Sequence, residues 1–187
     1  MRIVILGGPG AGKGTQAKLL CHKLSIPWLS IGDILRQDIQ EGTALGLEAL
    51  PYLEKGELVP DIIIIEFIRQ RLLEDDVNDG WVLDGYPRTA FQAEELDFLL
   101  AELNQNLDHV IWLDVPQDIM IKRTMERSRI DDDPDIIQTR MNVFTQVTIP
   151  MMEYYQRQNR LTSINGNQSI PDVQQEIYQK FNIFWRK

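Results

Sequence analysis

The sequence predicts an α/β protein, a parallel five-stranded sheet flanked by helices, and three observations predict it. Short apolar runs bounded by turn residues recur over residues 3–6, 28–30, 81–83, 109–115 and 161–164. Segments with helical spacing separate them, over 16–24, 61–74, 89–103 and 171–184. The first run also passes directly into a glycine-dense turn that carries one lysine, RIVILGGPGAGKGT over 2–15. Strands that alternate with helices imply right-handed crossovers and a sheet covered on both faces, which suits the unbroken apolar character of IVIL and HVIWLDV.

Taken in order, the turn after the first run is a phosphate cradle. Gly7, Gly8, Gly10, Gly12 and Gly14 let backbone N–H groups approach an anion, and Lys13 reaches over the terminal phosphates of a nucleotide. The helix over 16–24 adds its N-terminal partial charge to the same anion. The second run ends in Gly32 and Asp33, after which residues 31–60 break the β/α rhythm as an insertion. The helix over 61–74 follows Pro60, with Asp61 as its expected cap. The third run opens into Asp84–Arg88, the fourth ends near Asp114, and the acidic stretch over 128–134 is a second interruption. The last helix, 171–184, starts with proline in its first turn. In a parallel sheet the polar residues after the runs gather at the carboxyl ends of the strands, in one crevice. Trp28, Trp81 and Trp112 are expected in the core, and Arg69, Arg71, Arg157 and Arg160 as solvated helix charges.

The 187 residues fit one domain. A net charge of -9 and a pI near 4.7 argue against non-specific binding to nucleic acid or to an anionic membrane, so an anionic partner must meet a local basic cluster. No apolar run reaches the roughly 20 residues that span a bilayer, and the N-terminus lacks a signal peptide's cleavage region, so a cytoplasmic location is expected. One cysteine, Cys21, excludes an internal disulfide and a zinc site of several thiolates. His22 and His109 have no spacing that suits a metal or a catalytic triad and are expected to be structural.

The strict phosphate-loop pattern is met through Gly7, Gly12 and Lys13 but has Gly14 where Ser or Thr is usual, the hydroxyl arriving one residue late at Thr15. GKGT at this place resembles the nucleoside monophosphate kinases. With the later motifs added, the chain resembles the adenylate kinase family over essentially its whole length. GGPGAGKGTQ over 7–16 is similar to the family's phosphate loop, LSIGDILR over 29–36 to its LSTGDLLR acceptor motif, and KGELVPD over 55–61 and DGYPRTAFQ over 84–92 to its acceptor-binding segments. ERSRIDDDPDIIQTR over 126–140 resembles a shortened form of the family's lid.

The resemblance implies a P-loop NTPase-type core (1–29, 61–127 and 135–187), a small helical acceptor-binding insertion (30–60) and a short lid (128–134). It implies reversible phosphoryl transfer from MgATP to AMP, giving two ADP. Carried over by position, Gly10, Ala11, Gly12, Lys13, Gly14, Thr15, Arg127 and Gln168 would bind ATP, with Arg123 also on the donor side. Ile31, Arg36, Glu57, Leu58, Val59, Gly85, Tyr86, Pro87, Arg88, Gln92, Arg129 and Arg140 would bind AMP. Arg129 and Arg140 would bridge the transferring group, so that Lys13, Arg88, Arg123, Arg129 and Arg140 form the catalytic set. Asp84 would organise Mg2+ through water, and Asp131 and Asp132 would hold arginines as the lid closes. The resemblance also implies a monomer whose partners are small-molecule nucleotides, with no zinc.

These residue types suit phosphoryl transfer on their own terms, because that reaction needs in-line placement and neutralisation of spreading negative charge more than a covalent participant. Arginine stays charged and holds phosphate oxygens bidentately. Two departures bear on the acceptor and the lid. Ile31 stands where the family usually has threonine and cannot hydrogen-bond a base, as in relatives that phosphorylate UMP or CMP and tend to have a small residue there. Gln92 points back to adenine, since an amide pairs with both a donor and an acceptor on that ring. Ser128 stands where glycine commonly precedes the lid arginine. The rival readings are a UMP/CMP-type kinase and a non-catalytic nucleotide-binding module; a GTPase switch would need Ser or Thr directly after Lys13 and an NKxD-type segment.

Overall fold

The computed structural model describes residues 1–127 and 133–183. Five parallel strands, β1 (Arg2–Leu6), β2 (Trp28–Ser30), β3 (Trp81–Asp84), β4 (His109–Asp114) and β5 (Leu161–Asn165), form one sheet in the order β2-β3-β1-β4-β5. Each of the five apolar runs is a strand. β1 lies at the centre, Ile3, Val4 and Ile5 are fully buried, and β3 and β4 pair with it on either side. That burial on both faces is why these runs do not alternate.

The helices are α1 (Lys13–Leu24), α2 (Ile31–Glu41), α3 (Ala44–Lys55), α4 (Asp61–Arg71), α5 (Ala90–Glu102), α6 (Gln117–Arg127), α7 (Pro134–Val143), α8 (Ile149–Arg157) and α9 (Ile170–Lys180). The insertion over 31–60 is two helices, each opened by a hydroxyl cap: Ser30 Oγ accepts from Asp33 N at 3.4 Å, and Thr43 Oγ1 from Gly46 N at 3.0 Å. α4 is shorter than the predicted 61–74, because Arg71 turns back to Asp76 and Glu74 at 2.7 and 3.2 Å over a 3-10 turn, Asp75–Val77. α9 closes at Lys180, earlier than the predicted 184, a position outside the described residues; Ser169 caps it and Pro171 lies in its first turn.

α6, α7 and α8 have no counterpart among the predicted helices. α7 and α8 are continuous through a π-helical turn, Phe144–Thr148. Pro150 explains the turn: it has no N–H for the i−4 carbonyl, so the chain widens and Ile149 N bonds to the Phe144 carbonyl.

Three expectations are corrected by the packing. Asp61 does not cap α4; Pro60 occupies that position and the Asp61 carboxylate accepts from Gln92 Nε2 at 2.6 Å. Arg160 is not a solvated helix charge. It precedes β5, pairs with Asp97 of α5 with both side chains about a quarter exposed, and lies 5.2 Å from the Tyr155 ring centroid. Trp81 and Trp112 are core residues, but Trp28 is half-buried on the wall of a cleft, with Lys18 Nζ 4.6 Å above its ring. Arg69 and Arg157 carry exposed pairs with Glu102 and Glu153, as solvated charges do. Cys21 is buried on α1, where loss of solvent pushes its thiol up to about 12; it is a packing residue. His109 packs on Phe181 at 4.4 Å and His22 is exposed on α1. No helix among the described residues is long and apolar enough to cross a membrane.

Candidate active site

The phosphate loop bridges β1 and α1 with Gly12 as the helix N-cap at φ 94°, a left-handed conformation that glycine adopts without strain. The loop is tight: Ala11 N donates to the Gly8 carbonyl at 3.1 Å. Gly10 sits at φ 78° against α6, where a Cβ would lie 2.2 Å from the Met120 carbonyl oxygen and 2.6 Å from Thr124 Oγ1. Gly10→Ala is therefore expected to cost about 1–3 kcal/mol of stability through strain alone and to raise KM for ATP more than KM for AMP. Thermal melts and initial rates check this; an unchanged melting temperature would show that the loop is not held against α6.

Lys13 begins α1 and its Nζ donates to the Gly7 and Gly8 carbonyls, both at 2.9 Å. Burial lowers its pKa from 10.5 to about 8; Asp84 opposes the shift, and Arg88, Arg140 and Arg127 add to it. Asp84, at the end of β3 and 8% exposed, moves upward from the ordinary carboxylate value through burial, held back by Lys13 and Arg88. The folded chain thus holds fewer protons at Lys13 than the unfolded chain between about pH 8 and 10.5, and the stability of the unliganded protein from this group rises with pH over that window. A polyphosphate next to the amine favours its charged form. Nucleotide binding near pH 8 is expected to take up a fraction of a proton and to weaken as pH rises further. Calorimetry at pH 8 in two buffers of different ionisation enthalpy measures the uptake, and identical enthalpies in both would exclude it.

Three adjoining cavities gather at the carboxyl end of the sheet. The largest, 370 Å³, is lined by Gly10, Gly12, Lys13, Gly14, Thr15, Asp84, Arg36, Arg88, Arg123, Arg127 and Arg140, together with Lys18 and Trp28. A second, of 70 Å³, is walled by Ile31, Leu35, Val59, Ile64 and Tyr86, with Arg36, Glu57, Leu58, Gly85, Arg88, Gln92 and Arg140 around it. A third, of 60 Å³, joins Lys13, Pro87, Arg88 and Arg140 to Phe144 and Thr148 of the π turn. Arg88 and Arg140 line all three.

The arginines reach these cavities from different elements. Arg36 on α2 pairs with Asp33, whose other oxygen accepts from Ser30 Oγ at 2.9 Å. Arg88 follows β3 by way of a cis Tyr86–Pro87 bond and donates from Nε to the Gly85 carbonyl at 2.9 Å. Arg123 on α6 donates to the Gly166 carbonyl at 3.1 Å, and Arg140 comes from α7. A cleft with this many cations, in a chain of net charge -9, is built for a polyphosphate. Asp84 and the Thr15 hydroxyl in the same cleft are hard oxygen donors, which fit a magnesium ion carried by phosphates and water; no cluster of three or more His, Cys, Asp or Glu capable of caging a metal occurs among the described residues.

Most of the sequence-predicted residues therefore meet in one place. Ala11 is buried beneath the loop instead of on the cleft wall. Gln168 is also absent from the lining; its Nε2 donates to the Asn165 carbonyl at 2.9 Å and to Glu176 at 2.7 Å. Asp114 is exposed at the end of β4, where its carbonyl accepts from Gly166 N at 2.8 Å. Arg129, Asp131 and Asp132 lie outside the described residues. Sequence reasoning missed Lys18, Trp28, Phe144 and Thr148, for which no local signal existed, and misassigned Asp61, which belongs to the KGELVPD motif.

The adenylate kinase family model matches residues 5–160. The chain is 57% identical over 177 residues to adenylate kinase 2 of Nostoc sp., covering 95% of this chain and 96% of that protein. It is 49% identical over 173 residues to adenylate kinase 2 of Synechocystis sp. (92% and 96% covered) and 42% identical over 180 residues to an adenylate kinase of Leptospira biflexa (94% and 97%). A phosphate loop, a ring of arginines and a match of this length point the same way: the chain belongs to the adenylate kinase family.

Proposed function

We propose that the chain moves a phosphoryl group reversibly from MgATP to AMP, giving two ADP, with the 370 Å³ cleft as the donor side and the 70 Å³ cavity as the acceptor side. The observation that carries this reading is that Arg88 and Arg140 line both spaces, where a group transferred from one to the other has to pass. Lys13 and the loop N–H groups hold the donor's terminal phosphates, Arg123 and Arg127 its flank, and Arg36 and Arg88 the acceptor phosphate. Arg140, with Arg129, follows the charge as it spreads over the moving oxygens. Asp84 would hold the magnesium of MgATP through water, and the ion would supply neutralisation of part of the donor's phosphate charge.

AMP is the acceptor supported best. Ile31 is 2% exposed and packs with Leu35 and Ile64 as an apolar wall for a base, so its lack of a hydroxyl removes no needed contact. Gln92 supplies the polar edge. The same reading makes the chain a single domain with a 128–134 lid, working as a cytoplasmic monomer without nucleic-acid or membrane partners, in keeping with its acidic charge.

The test is to mix the protein with MgATP and AMP, UMP, CMP, dAMP or GMP in turn and to resolve the products by chromatography. ADP formed in quantity only with AMP is expected. Preference for a pyrimidine would overturn the acceptor, and tight ATP binding without any transfer would overturn the catalysis.

A further inference from the structure

The acceptor cavity contains a device that the motifs do not reveal. Gln92, 3% exposed on α5, has both ends of its amide engaged: Oε1 accepts from Arg88 N at 2.7 Å and Nε2 donates to Asp61 Oδ1 at 2.6 Å. A backbone N–H can meet only an oxygen, and a carboxylate can meet only a nitrogen, so these neighbours fix which way the amide points. One lone pair on Oε1 and one N–H on Nε2 remain.

The geometry points to Asp61 as a specificity-determining positioning residue that holds the Gln92 amide in one orientation, so that the cavity reads a 6-amino purine and rejects a 6-oxo purine. The inference rests on AMP being the acceptor. Adenine presents a donor at C6 beside a ring acceptor at N1; hypoxanthine presents the reverse, an acceptor at C6 beside a donor at N1. A freely flipping amide satisfies either edge, whereas a locked one satisfies only the first and leaves a buried polar group unpaired against the second. Asp61 is half-exposed at the first turn of α4 and makes no cap, so its hydrogen bond to Gln92 is the contact that accounts for its place.

The experiment compares kcat/KM for AMP and IMP in the unmodified chain, Asp61→Ala and Asp61→Glu. Asp61→Ala is expected to lower the AMP:IMP ratio by about tenfold through KM, with kcat for AMP little changed. Asp61→Glu, which keeps a carboxylate that can only accept, is expected to stay within about threefold of the unmodified ratio. A ratio unchanged in Asp61→Ala overturns the inference even if both rates fall, and so does an equal loss of discrimination in both variants. If Asp61→Ala does not fold, the side-chain amide of Gln92 in the intact protein decides. One exchange-protected, downfield amide proton without nucleotide is expected, and two rapidly exchanging protons would overturn the lock. An unmodified chain that does not prefer AMP would instead overturn the acceptor reading itself.

Discussion

Replacing Lys13 by methionine is expected to lower kcat by about 10²–10³-fold, the usual loss when one preorganised charge is removed from a developing anion. Methionine keeps the length of the side chain and suits the first turn of a helix, so the loop geometry is retained. The folded state already disfavours the charge at this position, as the shift to about 8 shows, and the substitution relieves repulsion with Arg88, Arg140 and Arg127. It also takes the Nζ donor away from the Gly7 and Gly8 carbonyls, the second of which keeps Ala11 N, and removes one of the cations that offset the burial of Asp84. These effects oppose one another, so the melting temperature is expected to change by only a few degrees, about 1 kcal/mol in a chain of this size. Single-turnover rates together with thermal melts check both parts. A variant that retains its full rate would remove Lys13 from the catalytic set.

Arg140→Met is expected to reduce kcat by about 10²–10³-fold while changing either KM by no more than a few fold, because this side chain, although it borders both nucleotide spaces, contributes most as charge spreads over the moving phosphoryl group. α7 carries it in, and its position depends on the end of α3: a Cβ on Gly56 would lie 3.1 Å from Arg140 Cγ and 2.9 Å from the Ile136 carbonyl. Arg140→Lys restores charge without the planar fork and is expected to recover about tenfold of the loss. Steady-state kinetics with each substrate varied will separate the outcomes. A rise in KM for AMP alone, with kcat preserved, would move Arg140 from the transferring group to the acceptor phosphate.

The five strands were legible because each reads as a short run bounded by turns, a pattern that needs no knowledge of its neighbours and is clearest in β1, β3 and β4, which are buried on both faces. The phosphate loop was legible for a related reason. Its function lies in backbone N–H groups, and only a glycine-rich stretch frees them at those positions. α7 and α8 were harder, since Pro150 sits inside what is one long helical path and reads locally as a break. Arg160 reads as a surface charge in any window of sequence. It becomes part of a half-buried pair only because α5 brings Asp97 alongside it.

By itself, then, the sequence determined the sheet, the cradle for the phosphates and the set of arginines, because these depend on local periodicity and on residue types whose chemistry is the same in any context. Which residues share a cavity was decided by the tertiary structure alone. Trp28 became a cleft wall and not core, Gln168 turned away to Glu176, and Asp61 left its expected cap to hold Gln92. A side chain with two possible partners goes to the one that the fold places within hydrogen-bonding reach. That distance is set by how helices far apart in the chain pack on a common sheet, which no local window of sequence contains.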